Sequence, residues 1–132
     1  MMRYLLDANA IVDLLNNTDS KLAKRVRRES PNDIAISAIV SHELFYGAYK
    51  SGRQVQNLGR IDALQFAVLE FDKEDARQSG LVRASLASRG MPIGPYDVLI
   101  AGQALARNMT LITRNMHDFS RVPGLRMEDW SA

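Results

Sequence analysis

The chain has 132 residues and no cysteine, with 17 Lys and Arg against 15 Asp and Glu, a net charge of +2. That length suits one domain spanning residues 1–132, and the lack of cysteine excludes disulfides, thiolate metal sites and a cysteine nucleophile. Apolar residues make up 46% of the chain, but none of their runs approaches the ~20 residues that cross a bilayer; the start lacks the features of a signal peptide, so the expectation is a cytoplasmic protein with no membrane partner.

Arg3 to Leu6 reads as a buried strand. Ala8 to Asn16 follows with apolar residues at helical spacing. Asn17 to Ser20 is a break with good N-cap chemistry, and Lys21 to Glu29 is a short amphipathic helix. Its cations Lys21, Lys24, Arg25, Arg27 and Arg28 are either a solvated face or a patch facing RNA. Ser30 to Asp33 is a turn, Ile34 to Ser37 a second strand, and Ile39 to Lys50 a helix with Ile39, Val40, Leu44 and Ala48 inward. Val55 to Leu64 reads as a further helix and Phe66 to Phe71 as a third strand. A long helix runs from Asp72 or Lys73 to about Ser88. A loop with two glycines and two prolines follows, then an apolar helix over Tyr96 to Arg107. Thr110 to Thr113 is a fourth strand, Arg114 to Arg121 a polar loop or short helix, and Leu125 to Met127 a final edge strand. Strands alternating with helices imply a mostly parallel sheet covered on both faces, with right-handed crossovers.

In an open parallel sheet, ligands bind beyond the carboxyl ends of the strands. Asp7 directly follows the first strand. Glu43 lies among apolar residues in the helix after the second, an expensive place for an unpaired charge. Asp97 sits in the first turn of the apolar helix, and Asn115 and Asp118 follow the fourth strand. Helix capping alone accounts for an acid at Asp7 or Asp97, typically by roughly 0.3–1 kcal/mol. As a group the acids mean something else: carboxylates brought together repel one another unless a cation is present. With only two histidines, His42 and His117, oxygen ligands dominate, which selects Mg²⁺ or Mn²⁺. Such an ion polarises a phosphate and lowers the pKa of an attacking water, while Arg114 and Arg121 suit flanking phosphates. Asp13, Asp33, Asp62, Glu70, Asp72, Glu74 and Asp75 read as surface or capping acids. Phe45, Tyr46 and Tyr49 form an aromatic stripe of core or dimer surface, and Trp130 packs down the C-terminus.

These pieces resemble a known family. Leu5-Leu6-Asp7-Ala8-Asn9, Ser37 to Gly47 around Glu43-Leu44, Arg89 to Asp97, Thr113-Arg114-Asn115 with Asp118-Phe119, and Val122 to Leu125 leading to Glu128-Asp129-Trp130 are similar, in order and spacing, to PIN-domain ribonucleases. The likeness is greatest to the VapC toxins of bacterial VapBC toxin–antitoxin pairs. The resemblance implies a three-layer α/β/α sandwich and a catalytic group of Asp7, Glu43, Asp97 and Asp118. Asp7 and Asp97 would bind Mg²⁺ or Mn²⁺, and Asn9, Thr113, Arg114 and Asn115 would orient the site or its substrate. It further implies hydrolysis of RNA to 5′-phosphate and 3′-hydroxyl ends, a VapB-type antitoxin as partner, operator DNA met only through that antitoxin, and a homodimer. The Pro-Ile-Gly-Pro loop and the Glu-Asp-Trp ending are similar to the subgroup that cuts initiator tRNA in its anticodon loop. The chain departs from the family in two places. Ala8 stands where a hydroxyl usually supports the first aspartate. The fourth acid aligns with Asn115 or with Asp118, of which Asp118 supplies the charge.

Two other classes compete. A receiver domain would need paired acids after the first strand and a lysine after the last, and no lysine occurs after Lys73. A non-catalytic PIN-like module would hold RNA or protein without cutting and without binding the metal.

Overall fold

The computed structural model describes residues 2–132. Its strands are β1 (Tyr4–Leu6), β2 (Ile34–Ser37), β3 (Ala67–Leu69), β4 (Thr110–Ile112) and β5 (Met127–Glu128). Its helices are α1 (Ala8–Asn16), α2 (Lys21–Arg28), α3 (Ala38–Lys50), α4 (Gln54–Asp62), α5 (Lys73–Ser88), α6 (Pro95–Ala106) and α7 (Met116–Phe119). The strands form one sheet in the order β3-β2-β1-β4-β5. Every pair is parallel, so the mostly parallel sheet expected from the sequence is entirely so, and the helices cover it as an α/β/α fold.

The central strand explains the apolar opening of the chain. Leu5 is in register with Ala35 on one side and Leu111 on the other. Tyr4, Leu5 and Leu6 are all buried, as a strand covered on both faces must be. From β1 the chain moves outward through β2 and β3, then returns to β4 on the other side of β1. The strand order therefore reverses at β1, and the crevice at such a reversal is where open α/β sheets bind ligands. The residue that follows β1 there is Asp7.

Several boundaries differ from the sequence reading. Arg3 lies outside β1, although its N–H donates to the Asp33 carbonyl at 2.8 Å. β3 covers three residues, not the six from Phe66 to Phe71, because the segment is a half-exposed edge with only β2 to pair with. α6 starts at Pro95, whose missing N–H costs nothing in a first turn. α4 is displaced toward the N-terminus, to Gln54–Asp62. The final strand is Met127–Glu128, not Leu125 to Met127. The N–H of Leu125 instead donates back to the Val122 carbonyl, closing a turn in which Gly124 takes a φ of 78°.

The sequence reading of Asp75 as a surface or capping acid is half right. Asp75 does form a reciprocal cap with Asp72, but it is 1% exposed. Arg107 meets it with both Nε (3.2 Å) and Nη2 (2.9 Å), and Gln103 Nε2 donates to it at 3.0 Å. These bonds tie α5 to the end of α6. The same helices approach so closely at Gly102 that a Cβ there would stand 2.1 Å from Ser79 Oγ. Trp130 anchors the C-terminus as expected, buried edge-on to Tyr4 with ring centroids 4.8 Å apart. Among the described residues no helix is long and apolar enough to cross a membrane.

Candidate active site

Asp7 is 4% exposed. Its N–H donates to the Ile112 carbonyl at 3.1 Å, continuing the sheet, and its Oδ1 accepts the Ala10 N–H at 2.8 Å as the cap of α1. The capping role is therefore real. Burial pushes the carboxyl above the ordinary aspartate range; the Thr113 hydroxyl, the Ala10 N–H and the Arg114 charge pull it back, and the Asp129 charge pushes it further up.

Glu43 comes from α3, whose start is fixed by Ser37 accepting the Ile39 N–H. Val40, Leu44 and Ala48 bury one side of this helix. Glu43, beside Leu44, is carried with them far enough that its Oε1 is buried without a hydrogen-bond partner. Burial raises its carboxyl first, then the charges of Asp97 and Asp7, while His42 opposes them. Asp97 stands in the first turn of α6. Its Oδ2 lies 3.2 Å from where a Cβ on Gly94 would be, so glycine lets the loop close over this carboxylate. Burial raises Asp97, followed by the charges of Asp7 and Asp118.

Beyond β4, Asn115 and Asp118 act as one unit. Asn115 Nδ2 donates to Asp118 Oδ2 at 3.1 Å, and Arg121 Nη1 is 3.9 Å from Asp118 Oδ1. The Asn115 N–H in turn donates to Thr113 Oγ1 at 2.9 Å. Thr113 is 1% exposed and bears on Asp7. Its hydroxyl lowers the Asp7 carboxyl against the effect of burial. Arg114 and Asn9 are exposed at the rim. From Glu43 a groove runs between Ala8, Asn9 and Val12 of α1, Gly47 of α3, and Arg60 of α4.

The charges of Asp7 and Asp97 thus act on Glu43, and those of Asp7 and Asp118 on Asp97. Among the described residues, however, no three acids or histidines are gathered closely enough to hold one ion together. The two facts agree. Charge acts across a Debye length of about 8 Å, whereas ligation of Mg²⁺ needs oxygens at ~2.0–2.1 Å. An orphaned buried carboxylate oxygen and three carboxyls pushed upward fit a site completed by a hard cation.

Sequence reasoning overlooked Asp129. It follows β5 directly and its charge reaches Asp7. The strand-end rule that picked out Asp7 would have found it had β5 been ended one residue later, at Glu128. His42 packs edge-on to Tyr96, with centroids 5.6 Å apart. His117 is exposed beside Arg121. Tyr46 and Tyr49 are exposed, so the aromatic stripe is not core.

Comparison with known proteins gives a consistent result. The PIN domain family matches residues 4–125. The tRNA(fMet)-specific endonuclease VapC of Salmonella typhimurium (strain LT2) is 36% identical over 98% of this chain and 99% of its own length. Ribonuclease VapC2 of Rickettsia felis is 37% identical, covering 98% of each. The crystal structure of DNA-bound VapBC from Salmonella typhimurium superposes with a TM-score of 0.94 at 36% identity, over 98% of this chain and 99% of that one. That of VapBC-1 from nontypeable Haemophilus influenzae superposes with a TM-score of 0.90 at 35% identity, over 99% and 100%. With acids at the strand ends and relatives matched from end to end, the chain belongs to the PIN domain family and, within it, to the VapC group.

Proposed function

We propose that this chain is the toxin of a type II toxin–antitoxin pair, a Mg²⁺- or Mn²⁺-dependent endoribonuclease. The observation that carries this reading is the pairing of a buried, partnerless Glu43 Oε1 with the raised carboxyls of Asp7 and Asp97 at the point where the strand order reverses. Asp7 and Asp97 would hold the cation, with Glu43 and Asp118 completing the acid set. The ion supplies charge neutralisation and Lewis-acid polarisation of the phosphodiester.

The protein's own groups do the rest. Thr113 orients Asp7 and sits under Asn115, which holds Asp118 in place. Glu43, whose carboxyl is raised by burial and by the charges of Asp97 and Asp7, is suited as a carboxylate to take a proton from the attacking water, a general-base role for which a raised carboxyl pKa is the appropriate setting. Arg114, exposed at the rim, and Asn9 would steady the flanking phosphates and sugars. The products carry a 5′-phosphate and a 3′-hydroxyl.

The narrower proposal for substrate is initiator tRNA, following the tRNA(fMet) specificity named for the Salmonella and Shigella relatives. For partner it is a VapB-type antitoxin, since related chains occur in VapBC complexes, two of them bound to DNA. Operator DNA would be met through that antitoxin. We further propose one domain over residues 1–132, a homodimer, and a cytoplasmic location where the tRNA pool lies.

The test is cleavage of total tRNA in Mg²⁺. EDTA should abolish it, and Asp7→Asn or Asp97→Asn should slow it by a factor on the order of 10²–10³ with an unchanged circular dichroism spectrum. Variants that cut as fast as the parent would dispose of the assigned site. The separation of the acids favours one competitor, a non-catalytic module. Titration calorimetry decides between them, since a module gives no heat with Mn²⁺.

A further inference from the structure

The positive charge of this chain is concentrated in one helix. α2 carries five of the 17 Lys and Arg and no acid, so the rest of the chain is net negative. Leu22 and Ala23 bury the inner side of α2. Lys21, Lys24, Arg25 and Arg28, at intervals of three and four residues, share one face and line a groove together with Met116 and Asp129. This is not the groove that leaves Glu43 between α1, α3 and α4.

Its cations are not equivalent. Arg25 is committed to the fold: its guanidinium lies 4.6 Å above the Trp130 ring, Nε donates to Glu29 at 2.9 Å, and Nη2 is 3.7 Å from Glu128. Lys21, Lys24 and Arg28 have no ion-pair partner among the described residues. The position of the groove gives this free charge a meaning. The groove's lining includes Asp129, whose charge reaches Asp7, and Met116, next in the chain to the Asn115 that holds Asp118. The groove therefore opens beside the acid cluster. From Lys21 to Arg28 the helix rises about 10 Å, at 1.5 Å per residue, so the row is extended enough to follow a backbone and is not a single anion pocket.

We propose that Lys21, Lys24 and Arg28 form the track that holds the phosphodiester backbone of the RNA next to the scissile bond. This rests on the nuclease reading above. A cluster of acids repels a polyanion, and binding needs cations placed to one side of it; α2 is the strongest such source in the chain. The Arg25–Trp130 stack is the rigid floor that keeps the row in place.

The experiment measures binding of a fluorescently labelled 20-nucleotide single-stranded RNA to the Asp97→Asn protein in Mg²⁺, by anisotropy between 50 and 200 mM NaCl, conditions over which phosphate contacts weaken steeply with salt. Each lost phosphate contact lowers the slope of log K against log salt by about 0.7 on a single strand. The triple variant Lys21→Gln, Lys24→Gln, Arg28→Gln should therefore lower it by about 2. Lys21→Arg with Lys24→Arg and Arg28→Lys should restore it. Removing the same charge from α5, by Lys73→Gln, Arg77→Gln and Arg83→Gln, should leave it unchanged. In protein that keeps Asp97, the glutamine triple variant should raise KM for tRNA cleavage while leaving kcat near the parent's, and the charge-restoring and α5 variants should keep the parent's KM. If the glutamine variant keeps the parent slope and KM, or if the α5 variant loses as much, the track is not there. These outcomes leave the nuclease reading intact. Only an Asp97 protein that cuts no RNA in Mg²⁺ overturns that reading itself.

Discussion

Replacing Glu43 by glutamine keeps the shape of the side chain and removes its charge. In the metal-free protein that charge sits on a carboxylate with a buried, partnerless oxygen and faces Asp97 and Asp7. Glutamine also leaves a polar atom there, so the hydrogen-bond deficit largely cancels and the gain is electrostatic. Two repulsions at a partly solvated site, each reduced by screening to about 0.5–1 kcal/mol, add up to about 1–2 kcal/mol. For 132 residues the unfolding entropy is about 0.28 kcal/mol/K, so the variant should melt about 4–7 °C higher in EDTA. The sign with pH follows from linkage. A carboxyl raised in the folded state binds more protons folded than unfolded, so stability falls as pH rises from the ordinary carboxylate range of about 4. The advantage of Glu43→Gln should therefore be small near pH 4 and grow as pH rises. In Mg²⁺ the order reverses, because the parent gains more from the ion, and cleavage by the variant collapses. Thermal melts by circular dichroism across pH, with EDTA or Mg²⁺, measure all of this. A variant that melts below the parent in EDTA at pH 7, or whose advantage shrinks as pH rises, refutes the idea that this site stores repulsion for a cation to relieve.

Two further predictions use the same assays. Thr113→Val should cost about 1–3 kcal/mol, because the Asn115 N–H loses its acceptor. It should also move the acidic limb of the cleavage–pH profile upward, since the hydroxyl that helps to hold Asp7 down is gone, and Ala8→Thr in the same protein should recover part of that shift. An unmoved limb would free Asp7 from Thr113. Gly102→Ala should destabilise by more than about 2 kcal/mol, seen as a melting temperature at least about 7 °C lower. The new Cβ would lie 2.5 Å from the backbone of Ser79, which no side-chain rotation relieves. A fall of only a degree or two would mean that α5 and α6 separate easily.

Much of this protein could be derived from the sequence by itself. Four of five strands and all the main helices follow from apolar periodicity and from capping residues such as Ser20, Ser37 and Asp72, which act over three or four positions. Asp7, Glu43 and Asp97 stood out because each combines a charge with a neighbourhood that is otherwise apolar. Only the tertiary structure decided the rest. Asp75 and Arg107 are 32 positions apart and meet because α5 packs on α6. Thr113 acts on Asp7 because β4 lies beside β1. Asp129 reaches Asp7 because β5 pairs with β4 through Glu128, one residue beyond the last of its apolar residues. The physical reason is common to all three. Local pattern reports how a segment buries itself, whereas a charge is governed by whatever lies within several ångströms, and strand order chooses those neighbours.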